Sequence, residues 1–218
     1  MSASDLTLDE LRGLLAPAVA DAAVFDGWTD AALETAAAQH GVEASVARLA
    51  FAGGAMDMIE AWVASVDAAM CDAFADGKMA ELPVRERIRS LVAFRLARIA
   101  GKEEALRRAL ATMAMPQNAR RALRMGWASA DLMWRLAGDK SADYNHYTKR
   151  TILAGVYAAT LAIFADDQSE GKTATLAFLD RRIAGIIRFE KAKARFVPDS
   201  GRGFSMARFL GRLRYPAR

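Results

Sequence analysis

From Thr7 to Phe196, apolar residues recur every three or four positions, and nowhere do they alternate over the length a strand needs. That periodicity leaves one class of fold open, a bundle of amphipathic helices. The composition agrees: alanine and leucine dominate, β-branched residues are few, and prolines number five. Thr7 is placed to cap a first helix that reaches about Val24, with a bend expected at Pro17. The turn at Asp26-Gly27, a cap at Thr29 and a stop at Gly41 bound a second helix; Ser45 opens a short third. Longer helices are expected over about 54–76, 83–100, 103–111, 116–137, 144–164 and 173–196, the last ended by Pro198. The 83–100 helix reads with a basic face of Arg85, Arg87, Arg89, Arg95 and Arg98. The 116–137 helix reads with Leu123, Trp127, Ala130 and Trp134 on one face.

At 218 residues the chain is long enough to bury a substantial core. Its organisation reads as a helix-turn-helix-like module at 1–55, a helical body at 56–198 and a basic amphipathic tail at 199–218. Cys71 is the single cysteine, so no internal disulfide is possible and a reducing compartment fits. The N-terminus reads as neither a secretory signal nor a transit peptide. The longest apolar run, Ile152 to Ala165, is too short to span a bilayer, which takes about 20 residues. These features lead to the expectation of a cytoplasmic protein, peripheral on the inner face of the membrane.

The net charge of +4 is a property of the tail. Residues 200–218 hold five arginines and no acid; the remainder is at −1, and residues 1–60 set Arg12 and Arg48 against ten acids. The first three helices are similar in rhythm to the N-terminal domain of the tetracycline-repressor class of regulators. The helix in the recognition position, Ala44 to Ala50, offers only Arg48 to phosphates or base edges. With an anionic surface around it, the module is expected to be a repressor-like scaffold that binds no nucleic acid.

No catalytic constellation emerges. His40 and His146 are the only histidines, and no Glu-x-x-His pair exists for a di-iron bundle site. Cys71 with two distant histidines makes no zinc site, so no metal and no cofactor are expected. Gly171-Lys172-Thr173 echoes a phosphate loop, but Asp166 stands where its first glycine belongs, and a turn into a helix is the better reading. No Ser-His-Asp arrangement can be defended. The chain is read as no enzyme.

One stretch asks for more explanation than a connection needs. "GDKSADYNHYTKR", Gly138 to Arg150, sets tyrosines, a histidine and charges between two apolar runs. Asp143, Tyr144, Asn145, His146, Tyr147, Lys149 and Arg150 have the composition of an interface. The alternative is that Ser141 or Asp143 caps the next helix while Tyr144 and Tyr147 point inward. In the tail, Met206, Phe209, Leu210 and Leu213 share one helical face, with Arg208 and Arg212 opposite. That is a short basic amphipathic helix suited to an anionic membrane interface, or to docking on the body by the same face.

The same stretch carries a family likeness. Gly138, Asp139, Ser141, Asp143, Tyr144, Asn145, Tyr147, Thr148, Lys149 and Arg150, then Phe178, Leu179 and Arg182, follow in order a pattern of the lipid-binding accessory protein family of ubiquinone (coenzyme Q) biosynthesis. "FDGWTDAAL" and "MPQNA" fit as well, and the chain resembles that family over roughly residues 22–196. The resemblance implies an all-α, tetracycline-repressor-like fold with a C-terminal ligand-binding bundle. It implies an apolar pocket for an isoprenoid lipid or ubiquinone precursor, and docking onto a di-iron or flavin quinone hydroxylase. A homodimer is expected by analogy with repressors. Trp127, Trp134, Leu153, Tyr157, Leu161, Phe178 and Ile186 are the lipid-pocket candidates, against a plain close-packed core. One position departs: His146 stands where the family often has tryptophan, which implies a different partner or a more polar contact.

Overall fold

Thr7 caps the first helix, α1 (Leu8–Asp26), through a reciprocal box: its hydroxyl accepts from the Glu10 amide at 3.3 Å, and Glu10 accepts from the Thr7 amide at 2.8 Å. Pro17 sits inside α1 without ending it. Pro17 and Gly13, four residues earlier, are both exposed, so the carbonyl deprived of its donor lies on the solvent side. The computed structural model describes residues 6–140 and 144–196; for residues 78, 144, 145 and 187–196 the description is of backbone only. The tail at 199–218 lies outside the described residues, and so do its candidates Met206, Arg208, Phe209, Leu210, Arg212 and Leu213.

After α1 come α2 (Asp30–Gln39), α3 (Ala44–Ala50), α4 (Ala55–Ala73), α5 (Val84–Ile99), α6 (Glu103–Met113), α7 (Ala119–Leu136), α8 (Tyr144–Asp166) and α9 (Thr173–Phe196). No strand occurs among the described residues, and the fold is all α. By compactness the chain divides into residues 1–179 and 180–218.

Within the first unit, α1 packs on α2, α3, α4 and α6, so the front helices and the body share one core. Alanines at 16, 18, 20, 22 and 23 are buried and let the neighbouring helices approach α1 closely. Trp28, before α2, packs against Trp62 of α4 with ring centres 5.3 Å apart and planes tilted by 38°, and donates its indole N–H to the Ala105 carbonyl of α6 at 3.0 Å. α8 packs on α6 and α7. The loop into α9 is closed by Asp167. Its carboxylate accepts from the Ser169 amide and hydroxyl at 2.8 and 2.6 Å, and from the Thr175 amide and hydroxyl at 2.8 and 2.5 Å. The Ser169 and Thr175 hydroxyls, then their amides, hold this carboxyl well below the usual carboxylate range. Gly171-Lys172-Thr173 is a turn into α9, as the missing first glycine at Asp166 indicated.

Two sequence expectations change. Of Leu123, Trp127, Ala130 and Trp134, only Ala130 is buried; the inward row of α7 is Met125, Ser129, Ala130 and Met133. Polar anchors set that rotation: Arg121 turns to Asp57 and Glu60 on α4, and Ser129 turns to Arg95 on α5. The basic face of α5 also breaks up. Arg85 and Arg98 are exposed, Arg87 and Arg89 are half-buried, and Arg95 is in the core at 2% exposure.

Candidate functional site

The Gly138–Arg150 stretch is built outward from the end of α7. Gly138 takes φ +84°, and the Asp139 amide then reaches back to the Trp134 carbonyl at 3.0 Å. A Cβ at Gly138 would lie 3.1 Å from Nη1 of Arg87, so a side chain there is opposed by both backbone and neighbour. Arg87 itself donates to the carbonyls of Ala80, Leu82 and Ala137 at 2.6, 2.7 and 2.8 Å. It ties the loop before α5 to the end of α7.

Asp139, its side chain 8% exposed, then serves α8. It accepts from Lys149 Nζ at 2.7 Å and from Arg150 Nη1 at 3.1 Å. Arg150 also donates to Asp131 at 2.5 Å and to the His146 carbonyl at 3.1 Å. Burial works against the Arg150 charge, but the hydrogen bonds it donates to Asp131 and Asp139 outweigh that and raise the pKa above its ordinary value. The Trp134 indole donates to the Lys149 carbonyl at 3.0 Å, and Lys149 Nζ lies 5.4 Å from the centre of the same ring. The start of α8 is thereby locked to α7.

This clamp sorts the expected docking residues. Arg150 is not a surface contact: at 2% exposure it holds the surface from beneath. Lys149 and His146 are half-buried. Tyr147 is 62% exposed, stacks on Trp127 at 6.0 Å, and meets the His146 ring edge-on at 5.1 Å. Asp143 and the side chains of Tyr144 and Asn145 lie outside the described residues.

The lipid candidates disperse. Trp127 lines a shallow surface hollow, Trp134 belongs to the clamp, Leu153 is in the core, and Phe178 and Ile186 are half-buried on α9. Tyr157 and Leu161 come together on an internal cavity of about 40 Å³. Ile59, Trp62, Val66 and Leu106 give it apolar walls, and Arg95 with Tyr157 forms its polar end. Arg95 donates to the Tyr157 hydroxyl at 2.9 Å and to Ser129 at 3.2 Å, and pairs with Asp67. Burial penalises the Arg95 charge, yet Tyr157 and Asp67 hold its pKa above the ordinary value. Four helices meet at this one guanidinium.

Arg95, Asp67, Asp131 and Asp139 were not singled out as a polar framework by the sequence. A signal for Arg95 existed, a lone cation inside "LVAFRLARI". Its partners come from helices 28, 34 and 62 residues away and leave no mark in local spacing. Among the described residues, no group of three or more His, Cys, Asp or Glu is placed to hold a metal ion.

Sequence comparison adds a family to this geometry. The family model described as COQ9 matches residues 119–190, which contain the clamp and every lipid- and partner-binding candidate outside the tail. Over residues 119–190 the chain is similar to the COQ9 family. A relative named ubiquinone biosynthesis protein COQ9, mitochondrial, from Rattus norvegicus is 31% identical over 164 residues, 72% of this chain and 52% of that protein. The protein of the same name from Bos taurus is 28% identical over 165 residues, 72% and 51% of the two chains. The Homo sapiens protein of that name is 37% identical over 76 residues, 35% and 24%. The chain spans about half the length of the first two COQ9 proteins. A TetR transcriptional regulator from Nitrosomonas europaea ATCC 19718 shares the fold with a TM-score of 0.64 at 21% identity, covering 80% of this chain and 97% of that one. Among the described residues no single helix is long and apolar enough to cross a membrane. α3 and α4 together reach the required apolar length, but they meet at 80°.

Proposed function

We propose that this chain is a non-catalytic accessory protein of ubiquinone biosynthesis. It binds an isoprenoid lipid or quinone intermediate at the membrane and presents it to a quinone hydroxylase. The observation that carries this reading is the exposed Tyr147 stacked on half-buried Trp127, beside the Asp139 clamp inside the segment that matches the COQ9 model. Aromatic rings on a rigid support make an anchor with little conformational entropy to lose. Asp143, Tyr144, Asn145, His146 and Lys149 are the further docking residues of this reading, with Arg150 holding the clamp beneath.

Lipid binding is centred on the cavity at Tyr157 and Leu161. Ligand pockets run to roughly 300–1,000 Å³, so a cavity of about 40 Å³ must open before a prenyl chain enters. Trp127, Trp134, Leu153 and Phe178 are the residues that opening would draw in. The basic tail, through Met206, Phe209, Leu210 and Leu213 with Arg208 and Arg212, supplies a weak reversible membrane contact, and the protein acts as a homodimer. Lipid mass spectrometry of natively purified protein tests the proposal. A bound polyprenylated quinone or its precursor is expected; only non-isoprenoid lipids, or none, would count against it. Deleting the gene should cause a late, incompletely modified quinone intermediate to accumulate.

The repressor-like fold favours a second reading, a ligand-responsive transcription regulator. Opposing it, Arg12 pairs with Asp9 at 3.0 Å and Arg48 with Glu34 at 2.5 Å, so both cations of the front helices are already neutralised. A shift of cognate promoter DNA at low salt would support the regulator.

A further inference from the structure

The outward side of α7 is an unusual surface. Leu123 is 76% exposed and Met115, just ahead of the helix, 45%. Pro116, Ala119, Arg120, Leu123, Arg124 and Trp127 together line a hollow of about 600 Å³, and Tyr147 stacks on the Trp127 side. Isolated apolar residues on a surface need no explanation, but a contiguous set around a concavity does. The charges are equally specific. Arg121 points inward and pairs with Asp57 and Glu60, whereas Arg120 and Arg124, one turn apart, are exposed and pair with no carboxylate among the described residues. Arg120 and Arg124 thus lie one turn apart among the residues that line the hollow.

We propose that this hollow receives an acidic amphipathic helix of a protein partner. One large apolar side chain of that helix seats over Ala119 between Leu123 and Trp127, and carboxylates a turn to either side meet Arg120 and Arg124. The proposal rests on the docking reading above and specifies its chemistry. Arg and Trp along the hollow, with Tyr147 beside it, are residue types enriched in protein interfaces. An anionic bilayer fits less well, because two cations hold it weakly. The guanidinium charge selects an acidic helix over a basic one.

The test uses the full chain with two kinds of probe: the quinone hydroxylase of the same organism, and an 18-residue Glu/Leu amphipathic peptide beside its Lys/Leu counterpart. Phosphatidylserine vesicles and oligo-uridine RNA serve as competing surfaces. Leu123→Ala and the double variant R120E/R124E alter exposed side chains, so thermal unfolding should match wild type. Each should weaken the hydroxylase and the Glu/Leu peptide about tenfold, while R98E on α5 leaves both unchanged. Equal binding by wild type and both variants overturns the proposal, and so does preference for the Lys/Leu peptide, the vesicles or the RNA. Binding of neither hydroxylase nor Glu/Leu peptide also overturns it. If the peptide alone binds with the expected dependence, the surface chemistry stands and the hydroxylase reading falls.

Discussion

Arg95 Nε donates to the Tyr157 hydroxyl at 2.9 Å in the interior, joining α5 to α8 across 62 residues of sequence. The same guanidinium pairs with Asp67 on α4 and bonds Ser129 on α7. A buried charge is tolerable only where its partners are in place. The four helices therefore have one mutual arrangement that satisfies it, and that arrangement also fixes the walls of the cavity beside Tyr157.

Replacing Arg95 by Met should expose this dependence. It takes the cation from Asp67, which keeps only the bond it accepts from Ser129 at 3.2 Å, and breaking a buried pair costs about 3–5 kcal/mol. Tyr157→Phe, which strands only Nε, should cost about 1–3 kcal/mol. Urea unfolding of both variants measures the two values; a smaller loss for R95M than for Y157F would contradict the hub.

Asp139→Asn should weaken the clamp without removing it, since Arg150 keeps Asp131. Loss of two charge-assisted bonds is expected to cost about 1–3 kcal/mol. The Trp127–Tyr147 stack should loosen with it, read as a change in tryptophan fluorescence of the folded protein. Unchanged fluorescence and stability would mean that Lys149 and Arg150 do not depend on Asp139.

Gly138→Ala should destabilise by about 1–2 kcal/mol, because φ +84° is costly for any residue with a Cβ. The added carbon also meets Arg87. A neutral outcome by thermal unfolding would show that the turn after α7 has another conformation open to it.

The sign for Asp167 follows from its lowered pKa. In the unfolded chain an aspartate titrates near about 3.9. The carboxylate's contribution is fully present above that value and is lost as pH falls through the lower folded value. Wild type should therefore exceed Asp167→Asn in Tm at pH 7, with the gap closing below about pH 4. A gap that stays constant down to pH 2 would assign the effect to hydrogen bonding rather than to charge.

The helices and several of their ends were legible in the sequence because they rest on local rules. Thr7 begins a helix since its hydroxyl answers an amide three residues on, and α9 runs from Thr173 to Phe196 as its apolar spacing indicates. The rotation of α7 was not legible. Trp127 and Leu123 look more buried by type than Ser129 does, yet Ser129 is inside and Leu123 outside. Residue type predicts burial only when apolar contact decides orientation. Here Arg121 and Ser129 decide it, through partners on α4 and α5.

The candidate site divides in the same way. Gly138–Arg150 stands out in one dimension by composition, and its family likeness is carried by consecutive residues. That Arg150 is an internal brace, and that Tyr147 with Trp127 is what faces outward, required the fold.

By itself, then, the sequence determined an all-helical chain, its cap and turn positions, an anionic front and a basic tail, because these depend on neighbours within a few residues. Only tertiary structure decided which arginines are buried, which face of α7 is bare and how small the internal cavity is. Those outcomes depend on desolvated charges finding partners from distant helices, and the spacing of residues along the chain does not record that search.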